Sequence, residues 1–348
     1  MIRVLIVDGS ALVRKRMKTL LATDSDIEVV ATAMNGAIAQ RKVERLQPDV
    51  ITLDVNILES DGIGFLHSLM RHHPLPVVMM SNLAQSGAQI TLDALAAGAV
   101  DCISRPEIEI SQELAVNAGD IIDRVKIAAK ANLQPSQAVL SATGSSQTVD
   151  SAPAIDSEVA IIAIGASTGG TEAIKDVICR LPADTPGILI SQHIPGSFSK
   201  AFAERLNQSA TISVCEARDG QPILPGHAYL APGGRHLRVK RNGKGFRCLI
   251  DDGPQVNRHK PSVDVLFKSV AETVGARAVG VLLTGMGDDG SESLGLMKAA
   301  GAFTIAQDEA SSVVWGMPGE AVKRGHVSQV VPLRQIADKI LHSVSHHG

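Results

Sequence analysis

The sequence predicts an α/β protein of two doubly wound parallel-sheet domains, joined by a helix and a linker. Three observations predict it. Residues 1–105 alternate short, wholly apolar runs with amphipathic stretches; apolar runs of this kind are parallel strands covered on both faces. The same alternation restarts at Val159. Between the two lies Leu133–Ser157, LQPSQAVLSATGSSQTVDSAPAIDS. It is rich in Ser, Ala, Pro, Gln and Thr, buries too little apolar surface to order itself, and reads as a linker.

In chain order, Val4–Val7 is the first strand and ends at Asp8, and Leu12–Leu21 follows with helical spacing. Glu28–Ala33 and Val50–Leu53 are further strands, the latter ending at Asp54. Val77–Met80 ends at Ser81, and Cys102-Ile103 leads to Arg105. A long helix is expected near Ile108–Ala131, then the linker. In the second half, strands are expected at Val159–Ile164, Ile188–Gln192, Ala278–Leu283 and Phe303–Ala306. Helices are expected at Thr171–Arg180, Phe198–Leu206, Val263–Val274, Ser291–Ala300 and Leu333–Val344. One segment breaks the alternation: His236–Lys240 and Phe246–Asp251 flank Arg241-Asn242-Gly243, a hairpin signal. The expected domains are 1–122 and 158–348, with 123–157 as the connection.

Composition narrows the function classes. Aromatic residues make up 2% of the 348, so the cores are aliphatic and lack stacking platforms for nucleic acid; the net charge of -3 implies no polyanion partner. The four cysteines show no C-x-x-C spacing, so neither zinc nor a disulfide framework is expected. No apolar run reaches the length of a membrane span, and Met1-Ile-Arg-Val opens on a strand rather than a signal peptide. A soluble, cytoplasmic protein without membrane insertion is expected.

The chemistry falls at strand ends. In Val159–Gly170, VAIIAIGASTGG, an apolar strand runs into a glycine-framed serine, Ser167, where a strand-to-helix turn presents a nucleophile. His193 follows Ile188–Gln192, and Asp289 lies in LTGMGDDG after another strand. Serine needs a base and histidine a carboxylate to fix its tautomer, so the three should meet beyond the carboxyl ends of the strands. The order Ser, His, Asp differs from that of the α/β-hydrolases. Each residue has a plainer reading: Ser167 as a helix-capping serine, His193 as a surface or core histidine, Asp288 and Asp289 as acids favoured at a helix start. A phosphate cradle at Gly165–Gly170 and a catalytically silent scaffold are the competing functions; that loop is not G-x-G-x-x-G, and no G-x-x-x-x-G-K-[ST] appears in the chain. In residues 1–105, Asp8, Asp54, Ser81 and Arg105 fall at strand ends and should converge in the same way.

The motifs IGASTGG, QHIPGSF, RHKPSVDVLF (258–267), LTGMGDDG and VVWGMP (313–318) resemble those of the bacterial chemotaxis protein-glutamate methylesterases, the CheB family. The likeness covers both domains and leaves out the linker. It implies a Rossmann-like methylesterase domain in which Ser167 is the nucleophile, His193 the general base and acid, and Asp289 the residue orienting it, with no catalytic cofactor. Asp288 takes a variable position. It further implies oxyanion stabilisation from the Met286 N–H and the helix start at Thr168, and a site-lining role for His259. The implied reaction is hydrolysis of glutamyl γ-methyl esters on methyl-accepting chemoreceptors, with deamidation of receptor glutamines as a second outcome.

Residues 1–105 resemble a flavodoxin-like receiver domain, with Asp54 at the phosphoacceptor position, Asp8 in the acidic pocket and Ser81 at the hydroxyl position. The resemblance implies Mg²⁺ held by Asp8 and Asp54, and a chemotaxis histidine kinase as phosphodonor. Four positions depart from the pattern: Gly9 replaces the second acid, Arg105 the lysine, Cys102 the aromatic switch residue and Leu58 a proline. Two readings stay open here. Either the domain is phosphorylated on Asp54, or it regulates by packing and partner binding alone.

Overall fold

The computed structural model describes residues 1–57, 63–81, 85–104, 113–133, 159–243 and 245–345. The chain forms two compact units, Met1–Leu133 and Gln134–Gly348.

The first unit holds five parallel strands in the order β2-β1-β3-β4-β5: β1 Ile2–Val7, β2 Ile27–Ala33, β3 Val50–Asp54, β4 Val77–Ser81 and β5 Asp101–Ser104. β3 and β4 are buried throughout, which is why they read as unbroken apolar runs. Helices Ala11–Leu21, Gly36–Leu46, Gly64–His72, Gln85–Ala96 and Glu113–Ala128 cover the sheet. Ser10 and Asn35 cap the first two, accepting from the N–H of Val13 and of Ile38. Helix Glu113–Ala128 is tied to this unit on both flanks. Arg124 pairs with Asp101 at 2.9 Å, Lys126 reaches Asp24 at 3.1 Å and Asp26 at 2.7 Å, and Ile121, Val125 and Ala128 are buried. The chain reverses its direction of winding between β1 and β3, and ligands of such sheets bind beyond the strand ends at that point.

The second unit is built on seven parallel strands in the order β14-β13-β12-β6-β7-β9-β8. They are β6 Ile161–Ala166, β7 Gly187–Gln192, β8 Ser213–Glu216, β9 His227–Leu230, β12 Ala278–Leu282, β13 Phe303–Gln307 and β14 Gln329–Val331. β10 His236–Asn242 and β11 Gly245–Asp251 form the expected antiparallel hairpin, in register from His236↔Asp251 to Asn242↔Gly245. Its inner face, with Leu237, Val239 and Cys248, packs with helix Val263–Thr273 into the core beneath the sheet. β8, β9, β14 and helix Met317–Lys323 have no counterpart in the sequence reading. The strands are three or four residues long and carry polar positions, so neither an apolar run nor alternation marks them. Winding reverses between β6 and β12, so the carboxyl ends of β6, β12 and β7 share the switch point. Among the described residues, no helix is long and apolar enough to cross a membrane.

Candidate active site

Register places the second unit's three strand ends together. Gly165 pairs with Leu282 on one side and Ser191 on the other, so Ser167, His193 and the loop carrying Asp289 leave the sheet at one level. The turn after β6 has no room for side chains at its glycines. A Cβ on Gly165 would overlap Val263, one on Gly170 would overlap Gln192 Oε1, and Gly169 holds φ 74°. Gln192 Nε2 donates to the carbonyls of Ser167 (2.9 Å) and His193 (3.1 Å), tying the two strand ends together.

His193 Nδ1 stands 3.0 Å from Ser167 Oγ, and its Nε2 stands 2.8 Å from Asp289 Oδ2. Asp289 only accepts when ionised, so Nε2 carries the ring proton and the Nδ1 lone pair faces the hydroxyl. The ring is used in the opposite sense to serine proteases, where Nε2 faces the serine. The two nitrogens serve equally, provided the carboxylate fixes the tautomer. Ser167 and the side chains of His193 and Asp289 are all buried. His259 lies flat on His193, with ring centroids 3.7 Å apart and planes at 14°.

Asp289 is surrounded by donors. Oδ1 accepts from Asn257 Nδ2 (2.9 Å) and Ser262 Oγ (2.7 Å), and Oδ2 accepts from the Val263 N–H (2.6 Å) besides His193. Val263 opens helix Val263–Thr273, so the carboxylate sits at the positive end of a helix. Burial pushes this carboxyl up, but the hydrogen bond and charge of His193, then Ser262 and Val263, pull harder and hold it well below the usual carboxylate range. Ser262 is itself fixed, because its N–H donates to Nδ1 of the buried His236, whose Nε2 donates to the Pro254 carbonyl.

The expected oxyanion donors are placed as follows. The Gly285 N–H is taken by the Val314 carbonyl, whereas the Met286 N–H has no partner among the described residues. The backbone there is clamped: Gly316 and Met317 both donate to the Gly285 carbonyl, and a Cβ on Gly316 would sit 2.7 Å from that oxygen. This close approach is the reason for glycine in VVWGMP. Thr168 is buried just before helix Gly170–Ile178, and its carbonyl accepts from Thr284 Oγ1 at 3.0 Å. Asn257, Ser262, Asp264 and Gln192 escaped the sequence reading. For Ser262 and Asp264 a signal existed, since Ser-Val-Asp before an apolar stretch is a helix-start pattern.

In the first unit, Asp8 follows β1, and Asp54 and Ser81 end β3 and β4. The pairings Val7↔Leu53 and Asp54↔Met80 bring the three to one end of the sheet, all buried. Asp8 Oδ1 accepts from the Ser10 N–H at 2.7 Å, and Arg14 Nη1 donates to the Asp8 carbonyl at 2.7 Å. Cys102 lies on β5 opposite Met79, and burial pushes its thiol up to about 12, so it stays protonated. Among the described residues, a Cβ on Gly9 would meet only Ile57 Cδ1, at 4.0 Å. Arg105 and Leu58 lie outside the described residues. Among the described residues, no group of three or more His, Cys, Asp or Glu is disposed to hold a metal. Two carboxylates remain, and that suffices for Mg²⁺, which takes one or two together with water and phosphate oxygens.

The family description "CheB methylesterase" matches residues 162–340, and "Response regulator receiver domain" matches residues 4–115. A protein-glutamate methylesterase/protein-glutamine glutaminase of Xanthomonas oryzae pv. oryzae is 53% identical over 98% of this chain and 96% of its own length. A protein of the same name in Escherichia coli O157:H7 is 48% identical over 99% and 97%. The crystal structure of the Thermotoga maritima CheB methylesterase catalytic domain superposes with a TM-score of 0.52 at 34% identity, covering 53% of this chain and 97% of that one. With such identity along nearly its whole length, the chain belongs to the CheB methylesterase family and carries a response-regulator receiver domain ahead of its methylesterase domain.

Proposed function

We propose that this chain hydrolyses glutamyl γ-methyl esters on chemoreceptors through Ser167, His193 and Asp289. The observation that carries the reading is the unbroken hydrogen-bond chain from Ser167 Oγ through His193 to Asp289. His193 Nδ1 takes the hydroxyl proton as Oγ attacks the ester carbonyl carbon. The tetrahedral intermediate collapses, the C–OCH₃ bond breaks, and methanol leaves with that proton. Water then attacks the acyl-enzyme in the same way, returning glutamate and free Ser167. The Met286 N–H, without a partner among the described residues, is the donor left to meet the developing oxyanion. A receptor glutamine passes through the same acyl-enzyme with ammonia as the leaving group. Its place of action is then the cytoplasm, beside the receptors' cytoplasmic helices.

A fluorophosphonate probe tests the site, because only an activated serine reacts. The full chain is expected to be labelled at Ser167, and His193→Ala to lose nearly all labelling. Equal labelling of both proteins would count against the assignment.

For the first unit, the reading is phosphorylation of Asp54 by a chemotaxis histidine kinase, with Ser81 and Arg105 engaging the phosphoryl group. Asp8 and Asp54 would hold Mg²⁺, which when bound offsets charge on the phosphoryl oxygens. With acetyl phosphate as donor, acid-labile phosphoryl incorporation is expected in the native chain and none in Asp54→Ala. None in either would leave regulation by packing alone, and equal incorporation in the two would put the phosphoryl group on a residue other than Asp54.

A further inference from the structure

We infer that Asn257 and Asp264 are a positioning pair that fixes the rotation of the Asp289 carboxylate and the backbone behind it. The inference rests on the Ser167–His193–Asp289 reading above. Asp289 rides on a loop with two residues at positive φ, Gly287 (78°) and Gly290 (88°), so side-chain bonds must hold what the backbone does not. Val256–His259 is a tight turn closed by reciprocal hydrogen bonds (3.1 and 2.9 Å), with Asn257 and Arg258 both left-handed at φ 51° and 65°. This turn lays His259 on His193 and directs the Asn257 amide at two carboxylates. Nδ2 donates to Asp289 Oδ1 at 2.9 Å and to Asp264 Oδ2 at 2.7 Å.

Asp264 closes the circuit. Its Oδ1 accepts from the Ser293 N–H at 2.8 Å, in the first turn of helix Ser291–Ala299, which begins two residues after Asp289. Asp289 in turn accepts from Val263, the first residue of the helix that carries Asp264. The two helix starts therefore exchange carboxylates, each satisfying N–H groups the other helix leaves unpaired. Burial, and next to it the nearby Asp289 charge, push the Asp264 carboxyl up against the pull of the Ser293 N–H. Two acids stand this close because one amide donates to both. Without that amide, Asp289 Oδ1 keeps only Ser262 Oγ (2.7 Å) and the Asp264 N–H (3.3 Å), so the carboxylate turns toward these and Oδ2 shifts relative to His193.

Asparagine suits a left-handed turn for its own sake, so the test must separate turn from amide. Asn257→Gly keeps the turn and removes the amide. In the full chain acting on methylated chemoreceptor membranes, it is expected to lower kcat about tenfold with KM unchanged, the cost of a misplaced catalytic group. Asp264→Ala is expected to do the same, with Asp264→Asn in its place if the alanine variant does not fold. Because both act through one amide, the double variant should fall no more than about twofold below the worse single. Wild-type kcat in Asn257→Gly, or losses that multiply in the double variant, would overturn the inference. Ser167→Ala run alongside separates this from the underlying reading. If that variant keeps releasing methanol, the triad reading itself fails and takes the positioning role with it.

Discussion

Replacing Ser167 with alanine is expected to lower kcat for methyl-ester hydrolysis by about a millionfold, the order seen when a triad's nucleophile is removed. The size of the effect follows from how little else the change disturbs. The backbone of Ser167 is held independently of its hydroxyl: its N–H donates to the Thr284 carbonyl at 3.0 Å, and its carbonyl accepts from Gly170 N–H (2.8 Å) and Gln192 Nε2 (2.9 Å). Alanine keeps the Cβ against which Gly285 packs; a Cβ on that glycine would lie 2.8 Å from it. Only the attacking atom and its bond to His193 are lost. Methanol release should therefore collapse while the thermal midpoint stays within a few degrees and KM is unchanged. Activity within tenfold of the native chain would show that Ser167 is not the nucleophile.

The strand ends that carry this chemistry were legible because parallel strands buried on both faces write themselves as apolar runs, and a polar residue at the end of such a run stands out. Asp8, Asp54, Ser81, Ser167 and His193 were all found that way. The topology explains why they cluster: in each unit the winding reverses where those strands lie side by side. What surrounds Asp289 was not legible. Asn257 sits in a left-handed turn without a glycine to announce it, and its partners are 7 and 32 residues away. The pairing of two helix starts through Asp264 and Asp289 is likewise a tertiary fact; each residue alone reads as an ordinary first-turn acid. The edge strands β8, β9 and β14 escaped for a different reason, being too short and too polar for either period to show.

Asp289→Asn is expected to lower kcat about ten-thousandfold and also to destabilise the second unit, and the same geometry predicts both. Asparagine is nearly isosteric, but every group around the two oxygens is a donor: Asn257 and Ser262 at Oδ1, His193 and the Val263 N–H at Oδ2. Whichever way the amide turns, its NH₂ meets two donors. If it faces His193, the ring is driven to the wrong tautomer with its proton on Nδ1, and Nδ1 can no longer accept from Ser167; the corresponding change in a serine protease costs about 10⁴ in kcat. If it faces Asn257 and Ser262, the buried Ser262 hydroxyl loses its acceptor and the Asn257 amide meets another NH₂. A buried donor left without an acceptor costs about 1–3 kcal/mol. The pH dependence gives an independent check. The folded Asp289 carboxyl lies well below its ordinary value of 3.8, so its contribution to stability is fully present above that value. It is lost as pH falls through the folded pKa. The stability gap between native chain and Asp289→Asn should therefore narrow as the pH falls below about 4. Urea unfolding across that range measures it. A gap that widened on acidification would mean that Asp289 is not held as a buried, ionised acceptor.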